Sequence, residues 1–415
     1  MPLRNVRHVM KFFILISFLI LNFFSILFAE QGFEDAFSLN KVLESARKNN
    51  PEILAAKKRR DVFLAKIKSE SALEKPRVGY EQMYSGDEKN LTVSQEFPFF
   101  GKLRIRKQAA SKEALMAEQS LIAKEKEILA KTKTAYAMLF LADRSIDLYQ
   151  ENVELMKHFS KVSESKYAVG KVSQSDVLRA QVELSKMLNM LITLNQEKET
   201  AHAMLNSLFK QTPDERIAIP QEPKTKKIEF NLQTLQETAL GNRPELREAY
   251  HHVHHSNTML TAARFEYLPD IMAQYRYRTA LNSAMDKSQD IMVGMTVPLW
   301  FWKQKAMVQT ARLEKEMAEA EYQAMKNRTL FEIKDLFVKV QTAERMVELY
   351  QTSVIPQAES ALKITESAYQ SDRVSFLELI DAQKNLLQFR LDYCQYLTEH
   401  EKQIAELERA VGKEL

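Results

Sequence analysis

The chain has 415 residues, of which 45% are hydrophobic and 27% are charged, with only 8 glycines, 11 prolines and one cysteine. This composition favours long helices over a loop-rich fold, and one cysteine excludes a disulfide within the chain. The net charge of +4 comes largely from residues 1–29, which hold three basic residues and no acid. Because the remainder is nearly neutral, we expect no nucleic-acid partner.

Residues 1–29 are predicted to be a secretory signal. Arg4, Arg7 and Lys11 precede an apolar run over 12–28, and Ala29 follows it. An uncleaved membrane anchor is the alternative. No cysteine follows the run, so amino-terminal lipidation is not expected.

The rest of the chain is predicted to be a duplication, with a first repeat over 30–210, a polar linker over 211–230 and a second repeat over 231–415. Each repeat opens with a proline that ends one helix and begins the next, Pro51 in one and Pro244 in the other. The repeats also share Pro98 with Pro298, and they close with the similar segments 167–181 and 369–383.

A long helix over 101–169 is predicted from apolar residues at seven-residue spacing: Leu115, Ile122, Leu129 and Tyr136. Such a helix would extend roughly 100 Å, and it is too charged to span a membrane. A return helix over 174–210 follows. The second repeat predicts the same pair over 303–370 and 375–413. Helices of this length indicate a coiled coil or a helical tube.

Before each long helix the apolar period changes to two, which predicts hairpins over 76–98 and 269–298. Each strand of about ten residues could cross a bilayer when tilted. Hairpin strands on a soluble core are the alternative. Six aromatic residues collect where strand gives way to long helix, as in an interfacial belt: Phe97, Phe99, Phe100, Trp300, Phe301 and Trp302.

Four strands are too few to close a barrel by themselves. An open sheet in lipid leaves backbone groups unpaired, and outer-membrane barrels have at least about eight strands. The pattern therefore predicts that several copies of the chain pool their strands.

The sequence resembles the TolC-type outer-membrane efflux channels over nearly all of the predicted mature chain. The resemblance rests on the paired openings Asn-Pro-Glu-Ile at 50–53 and Arg-Pro-Glu-Leu at 243–246. It rests also on the segment Gln-Glu-Phe-Pro-Phe-Phe-Gly-Lys at 95–102, and on the run at 167–181 with its echo at 369–383. The segment 95–102 is most similar to the heavy-metal branch, which serves resistance-nodulation-division (RND) pumps.

The resemblance implies a mainly α fold with a small β part, built from a duplicated helix–hairpin–long helix–helix unit. It also implies a homotrimer, with a 12-stranded outer-membrane β-barrel and an α-helical barrel in the periplasm of a two-membrane bacterium. The expected function is a passive exit channel for metal ions or small toxic molecules, with no enzymatic activity and no cofactor. The expected partners are a periplasmic adaptor (membrane fusion) protein and an RND inner-membrane pump.

The resemblance places two kinds of site at the periplasmic end of the tube. The implied gate residues are Ser175, Asp176, Tyr369, Arg373, Glu378 and Asp381. The implied adaptor-docking tips are Val169, Gly170 and Lys171 in the first repeat, and Ser371, Asp372 and Arg373 in the second. Two positions depart from the family: Val374 stands where its basic gate partner falls, and Asp372 where it usually has glycine. The alternative for the acids is stabilisation of helix starts, where negative charge is favoured.

Four histidines, His251, His252, His254 and His255, are predicted to form an exposed or groove-facing surface without metal. A weak metal-binding site in the lumen is the alternative, because one helical turn separates His251 from His255. No catalytic motif is present in the sequence. Two further functions stay open: a type I protein-secretion duct, and a periplasmic coiled-coil scaffold or tether.

Overall fold

The structure is a computed structural model that describes residues 39–83, 88–209, 222–223, 231–280 and 287–415. The predicted signal over 1–29, most of the linker over 211–230 and the two hairpin turns lie outside the described residues.

The described chain is mainly α-helical with a small sheet, and its element order repeats once, as predicted. The first repeat comprises α1 Leu39–Asn49, α2 Pro51–Glu70, β1 Arg77–Met83, β2 Glu88–Phe97, α3 Lys102–Ala168 and α4 Gln174–Ser207. The second comprises α5 Leu232–Asn242, α6 Pro244–Phe265, β3 Asp270–Ala280, β4 Lys287–Thr296, α7 Phe301–Leu349, α8 Ile355–Gln370 and α9 Phe376–Val411.

The proline openings of the two repeats are stabilised differently. Asn50 caps α2 by accepting hydrogen bonds from the backbone N–H of Glu52 at 2.8 Å and of Ile53 at 3.2 Å. Its amide also donates to the carbonyl of Leu208 at 3.1 Å, which ties α2 to the end of α4. Arg243 takes the equivalent place in the second repeat and pairs with Glu332 of α7 at 2.8 Å instead.

The four strands form one antiparallel sheet in the order β1–β2–β3–β4. The helices next to the sheet follow the same order, since α2 packs on α3, α3 on α6, and α6 on α7. Strands and helices therefore form one continuous layer. The two edges of this layer are formed by β1 with α2 and by β4 with α7.

Further along, α3 packs against α4 and α9, and α9 packs against α7 and α8. The short helices α1 and α5 lie on this layer as equivalent elements, α1 against α3 and α5 against α7. None of the described helices combines the length and apolar character needed to span a membrane.

The apolar seam of α3 differs from the predicted one in its first half. Leu115 is 41% exposed, whereas Leu121 and Ile128 are buried. The predicted Ile122 and Leu129 are only partly buried. The physical reason is that Leu121 and Ile128 pack in one apolar cluster with Ala46 of α1 and Leu205 of α4.

The second long rod is not the single α-helix predicted over 303–370. A π-helical turn, Tyr350–Val354, separates α7 from α8. Pro356 lacks the N–H needed for the helical bond, and its ring clashes with the preceding turn of a regular helix, so a wider turn relieves both conflicts. The Tyr350 ring packs edge-on against Tyr396 of α9 at 5.2 Å between centroids.

Candidate functional site

One face of the sheet is apolar across all four strands. The register aligns Val78 with Val93, Val93 with Tyr275, and Tyr275 with Ile291. These side chains are exposed by 69%, 39%, 41% and 78%, respectively. No other part of the described chain covers this face, so it must meet an apolar environment or another molecule.

The opposite face is polar. The neighbouring row aligns Gly79, Thr92, Arg276 and Asp290 across the same four strands, and Arg278 forms an ion pair with Asp290. A sheet that is apolar on one side and polar on the other suits a wall between lipid and water.

The predicted aromatic belt residues lie where the strands join the long helices. Phe100 is 94% exposed, and Trp300, Phe301 and Trp302 are all largely exposed. The rings of Trp300 and Trp302 lie 5.1 Å apart. Assignment of these residues to a membrane interface stays a prediction.

A buried ion pair that no sequence pattern predicted joins the two repeats at this junction. The Lys102 ammonium contacts the Asp270 carboxylate at 2.9 Å and donates to the carbonyl of Leu268 at 3.0 Å. The backbone N–H of Phe99 donates to the same carboxylate at 2.8 Å. The sequence signal was the lysine that ends the segment 95–102, but its partner is 168 residues away.

The two predicted tip turns have the same backbone shape. Gly170 has a φ of 72° and Asp372 a φ of 58°, both in the left-handed region. The following residue closes each turn: Lys171 N–H donates to the Lys166 carbonyl at 2.9 Å, and Arg373 N–H to the Ala368 carbonyl at 2.8 Å. Asp372 thus occupies a position that glycine adopts without strain.

The Asp372 carboxylate binds two lysines of the other tip. Lys166 Nζ lies 2.5 Å from one carboxylate oxygen and Lys171 Nζ 2.7 Å from the other. Hydrogen bonds from Lys166 and Lys171 lower the pKa of Asp372 to about 2.

Two of the predicted gate acids are engaged locally as helix caps. Asp176 accepts a hydrogen bond from the Ser173 backbone N–H at 3.2 Å at the start of α4. Glu378 accepts one from the Ser375 hydroxyl at 3.0 Å at the start of α9. Both arrangements are capping boxes, which stabilise a helix start.

The other gate residues are less constrained. Ser175, Arg373 and Asp381 are exposed, and within the described ranges Arg373 makes no ion pair. Tyr369 is buried, its ring packs on Phe376 at 5.6 Å, and burial raises the pKa of its hydroxyl. The structure does not bring Asp176 and Arg373 together within one chain, so the role of these residues as a gate stays a prediction.

The four histidines are half-buried on α6. His255 Nε2 lies 3.4 Å from the Glu113 carboxylate, which also binds Lys66 at 2.7 Å. These three side chains border a cavity of about 660 Å³ between α2, α3, α6 and α7. Burial lowers the pKa of both His251 and His255. Across the described residues, no three potential ligands converge on one point as a metal would require.

A sheet with one apolar and one polar face, continued by helices of up to 67 residues, defines the class of outer-membrane channels with a helical extension. The chain belongs to the outer membrane efflux protein family, whose profile matches residues 42–209 and 235–413. The two matched segments correspond to the two structural repeats. Family membership confirms the predicted outer-membrane location.

Individual relatives agree with this assignment. The chain is 18% identical over 321 residues to the cobalt-zinc-cadmium resistance protein CzcC of Cupriavidus metallidurans, covering 75% of this chain and 74% of that protein. It is 22% identical over 321 residues to the cation efflux system protein CusC of Escherichia coli K12, covering 72% and 67%. The crystal structure of the Campylobacter jejuni CmeC outer membrane channel has the same fold, with a TM-score of 0.79 at 19% identity, covering 90% of this chain and 85% of that one.

Proposed function

We propose that this protein is the outer-membrane exit channel of a tripartite efflux system. Three copies would form a passive conduit that carries metal ions or small toxic molecules from a periplasmic adaptor and an RND pump to the exterior. The observation that carries this proposal is the apolar sheet face, which is continuous over four strands and open to the surroundings.

The unpaired sides of the layer support the trimer. Within the described sheet, β1 and β4 each have one neighbour only, and in lipid their free backbone groups would cost several kcal/mol each. Pairing β1 of one copy with β4 of the next removes both edges. Three copies give twelve strands, an even number above the smallest known barrels.

Exposed apolar side chains on the outlying helices support the same arrangement in the helical part. Val62 of α2 is 64% exposed, Ile192 of α4 is 72%, Phe331 of α7 is 72% and Ile364 of α8 is 70%. Val62 and Ile192 lie at one edge of the layer, and Phe331 and Ile364 lie at the other. In a ring, the first edge of one copy would meet the second edge of the next, and these side chains would be buried between copies.

Cross-linking between the two edge strands tests the trimer. In a C394S background, G79C and G294C place thiols on β1 and β4, both on the polar face that a water-soluble bis-maleimide reaches. We expect products of two and three chains. In the control pair T92C and R276C, the two residues face each other within one sheet, so cross-links should stay within one chain. Exclusively monomeric products from the edge pair would refute the ring.

Metal ions are favoured as cargo by the resemblance to the heavy-metal branch and by the names of CzcC and CusC. The test is metal tolerance in a strain that lacks its own exit channel and expresses this chain together with an adaptor and an RND pump. Restored tolerance to Co²⁺, Zn²⁺ or copper supports metal cargo. Restored tolerance to organic toxicants alone would reassign the substrate, and secretion of a protein would favour the type I duct.

We propose that the gate residues close the periplasmic end where three copies meet. Glu378 and Asp381 lie three residues apart on the first turns of α9, so three copies would bring six carboxylates near the axis, where they would attract cations. Neutralising Asp176 and Arg373 together (D176N with R373Q) should raise the conductance of the closed channel in planar bilayers. An unchanged closed state would argue against this assignment.

A further inference from the structure

The two tip turns of one chain are equivalent by sequence repeat and by backbone shape, yet they differ at the residue in the left-handed conformation. Gly170 adopts this conformation freely, and a Cβ added there would meet no atom within 4 Å. Asp372 adopts it against the steric preference of its own Cβ. A strained residue that persists requires interactions that hold it.

The side-chain interactions of Asp372 come entirely from the first repeat, whereas its backbone N–H donates to the Tyr369 carbonyl of its own repeat at 3.2 Å. Lys166 lies at the end of α3 and Lys171 in the first tip turn, and their ammonium groups bind opposite oxygens of the carboxylate. Lys166 also donates to the Tyr369 carbonyl at 2.6 Å and lies 4.2 Å from the centroid of the Tyr369 ring. One ammonium group therefore has three partners in the second repeat.

The bridge is partly sheltered from water. The Lys166 side chain is 15% exposed, compared with 58% for Lys171. Charge-assisted hydrogen bonds of this length are stronger than neutral ones, and the bond to Lys166 is the less screened of the two. A glycine at position 372, as in the first repeat, could form neither bond.

We propose that Asp372 is a positioning residue that joins the two tip turns of each chain into one rigid docking unit for the adaptor. This inference rests on the proposed function, because it assumes that the adaptor binds at the tips. Through the bridge, exposed Val169 of the first turn and Arg373 of the second are presented in a fixed relation. A partner that binds one turn therefore meets the other already in place, which removes part of the entropy cost of ordering it.

Hydrogen–deuterium exchange measured by mass spectrometry on the full-length trimer tests the bridge. D372G is the informative variant, because glycine keeps the backbone turn while removing the carboxylate. We expect faster amide exchange in the second turn and also in the unmutated first turn, over residues 169–172. The converse variant, K171M, should accelerate exchange in the second turn over 371–374, because coupling between two sites is reciprocal.

K161M is the matched control, since Lys161 is an exposed lysine on the same helix that forms no ion pair among the described residues. It should leave both turns unchanged. If D372G accelerates exchange only in its own turn, or not at all, the two tips are independent and the proposal is overturned.

Docking is tested separately by pump-dependent resistance in cells. D372G should lose resistance while the trimer and its edge-strand cross-links persist. Coupled exchange without loss of resistance would overturn the docking role. Absence of pump-dependent resistance in the wild type would overturn the proposed function instead, and the exchange result would still stand.

Discussion

The buried pair between Lys102 and Asp270 gives a quantitative prediction about stability. Lys102 is only 3% exposed at its side chain, and Asp270 is 21% exposed. Removing one partner of such a pair leaves an uncompensated buried charge, which typically costs about 3–5 kcal/mol. For D270A the lower end applies, because Glu266 remains 3.6 Å from the ammonium.

This loss converts into a measurable melting shift. Unfolding entropy near 60 °C is about 2.1 cal/mol/K per residue, so a chain of 415 residues loses roughly 1 °C in Tm per kcal/mol. D270A should therefore melt about 3 °C below the wild type. Melting is monitored in detergent by the circular dichroism signal of the helices. The double variant K102M/D270A should recover most of the loss, since it leaves no buried charge behind.

The matched control is K303M, because Lys303 is an exposed lysine at the start of the other long helix and makes no ion pair among the described residues. It should leave Tm unchanged. A D270A variant that melts with the wild type, or a double variant less stable than D270A, would show that the pair does not hold the junction as argued.

Three further predictions concern the helical part. Burial lowers the pKa of His251 and His255. Below about pH 6.5 the unfolded chain therefore binds more protons than the folded one, and stability decreases as the pH decreases. When the pH is lowered from 7.5 to 5.5, the Tm of H251Q/H255Q should decrease less than that of the wild type, and an equal decrease would contradict this. Burial raises the pKa of Cys394 to about 11, so maleimide should not label it at pH 7.5 until denaturant is added, and rapid labelling of the native trimer would count against the packing. N50A removes the α2 cap and should cost about 1–2 kcal/mol, lowering Tm by a similar number of degrees, whereas N49A, beside it on the exposed surface, should not.

Features with a local physical cause were predictable from the sequence. The proline openings follow from the missing N–H of Pro51 and Pro244, and the strands follow from side chains alternating between two faces. The alternation around Val78 and Ile291 predicted an apolar face on each strand. The strand register then places these apolar residues side by side on one face of the sheet. The repeat also aligned Asp372 with Gly170, and the structure gives both residues a left-handed φ.

Only the tertiary structure decided which residues of α3 are buried and which charges pair, because both depend on which helices become neighbours. Leu121 is buried instead of Ile122 because α1 and the end of α4 pack against that face of α3. The apolar period of α3 by itself cannot reveal which helices those neighbours are. The partners of Lys102 and Lys166 lie 168 and 206 residues away. Only the packing of one repeat against the other brings such distant charges within hydrogen-bonding distance, because electrostatic pairing depends on separation in space and not along the chain.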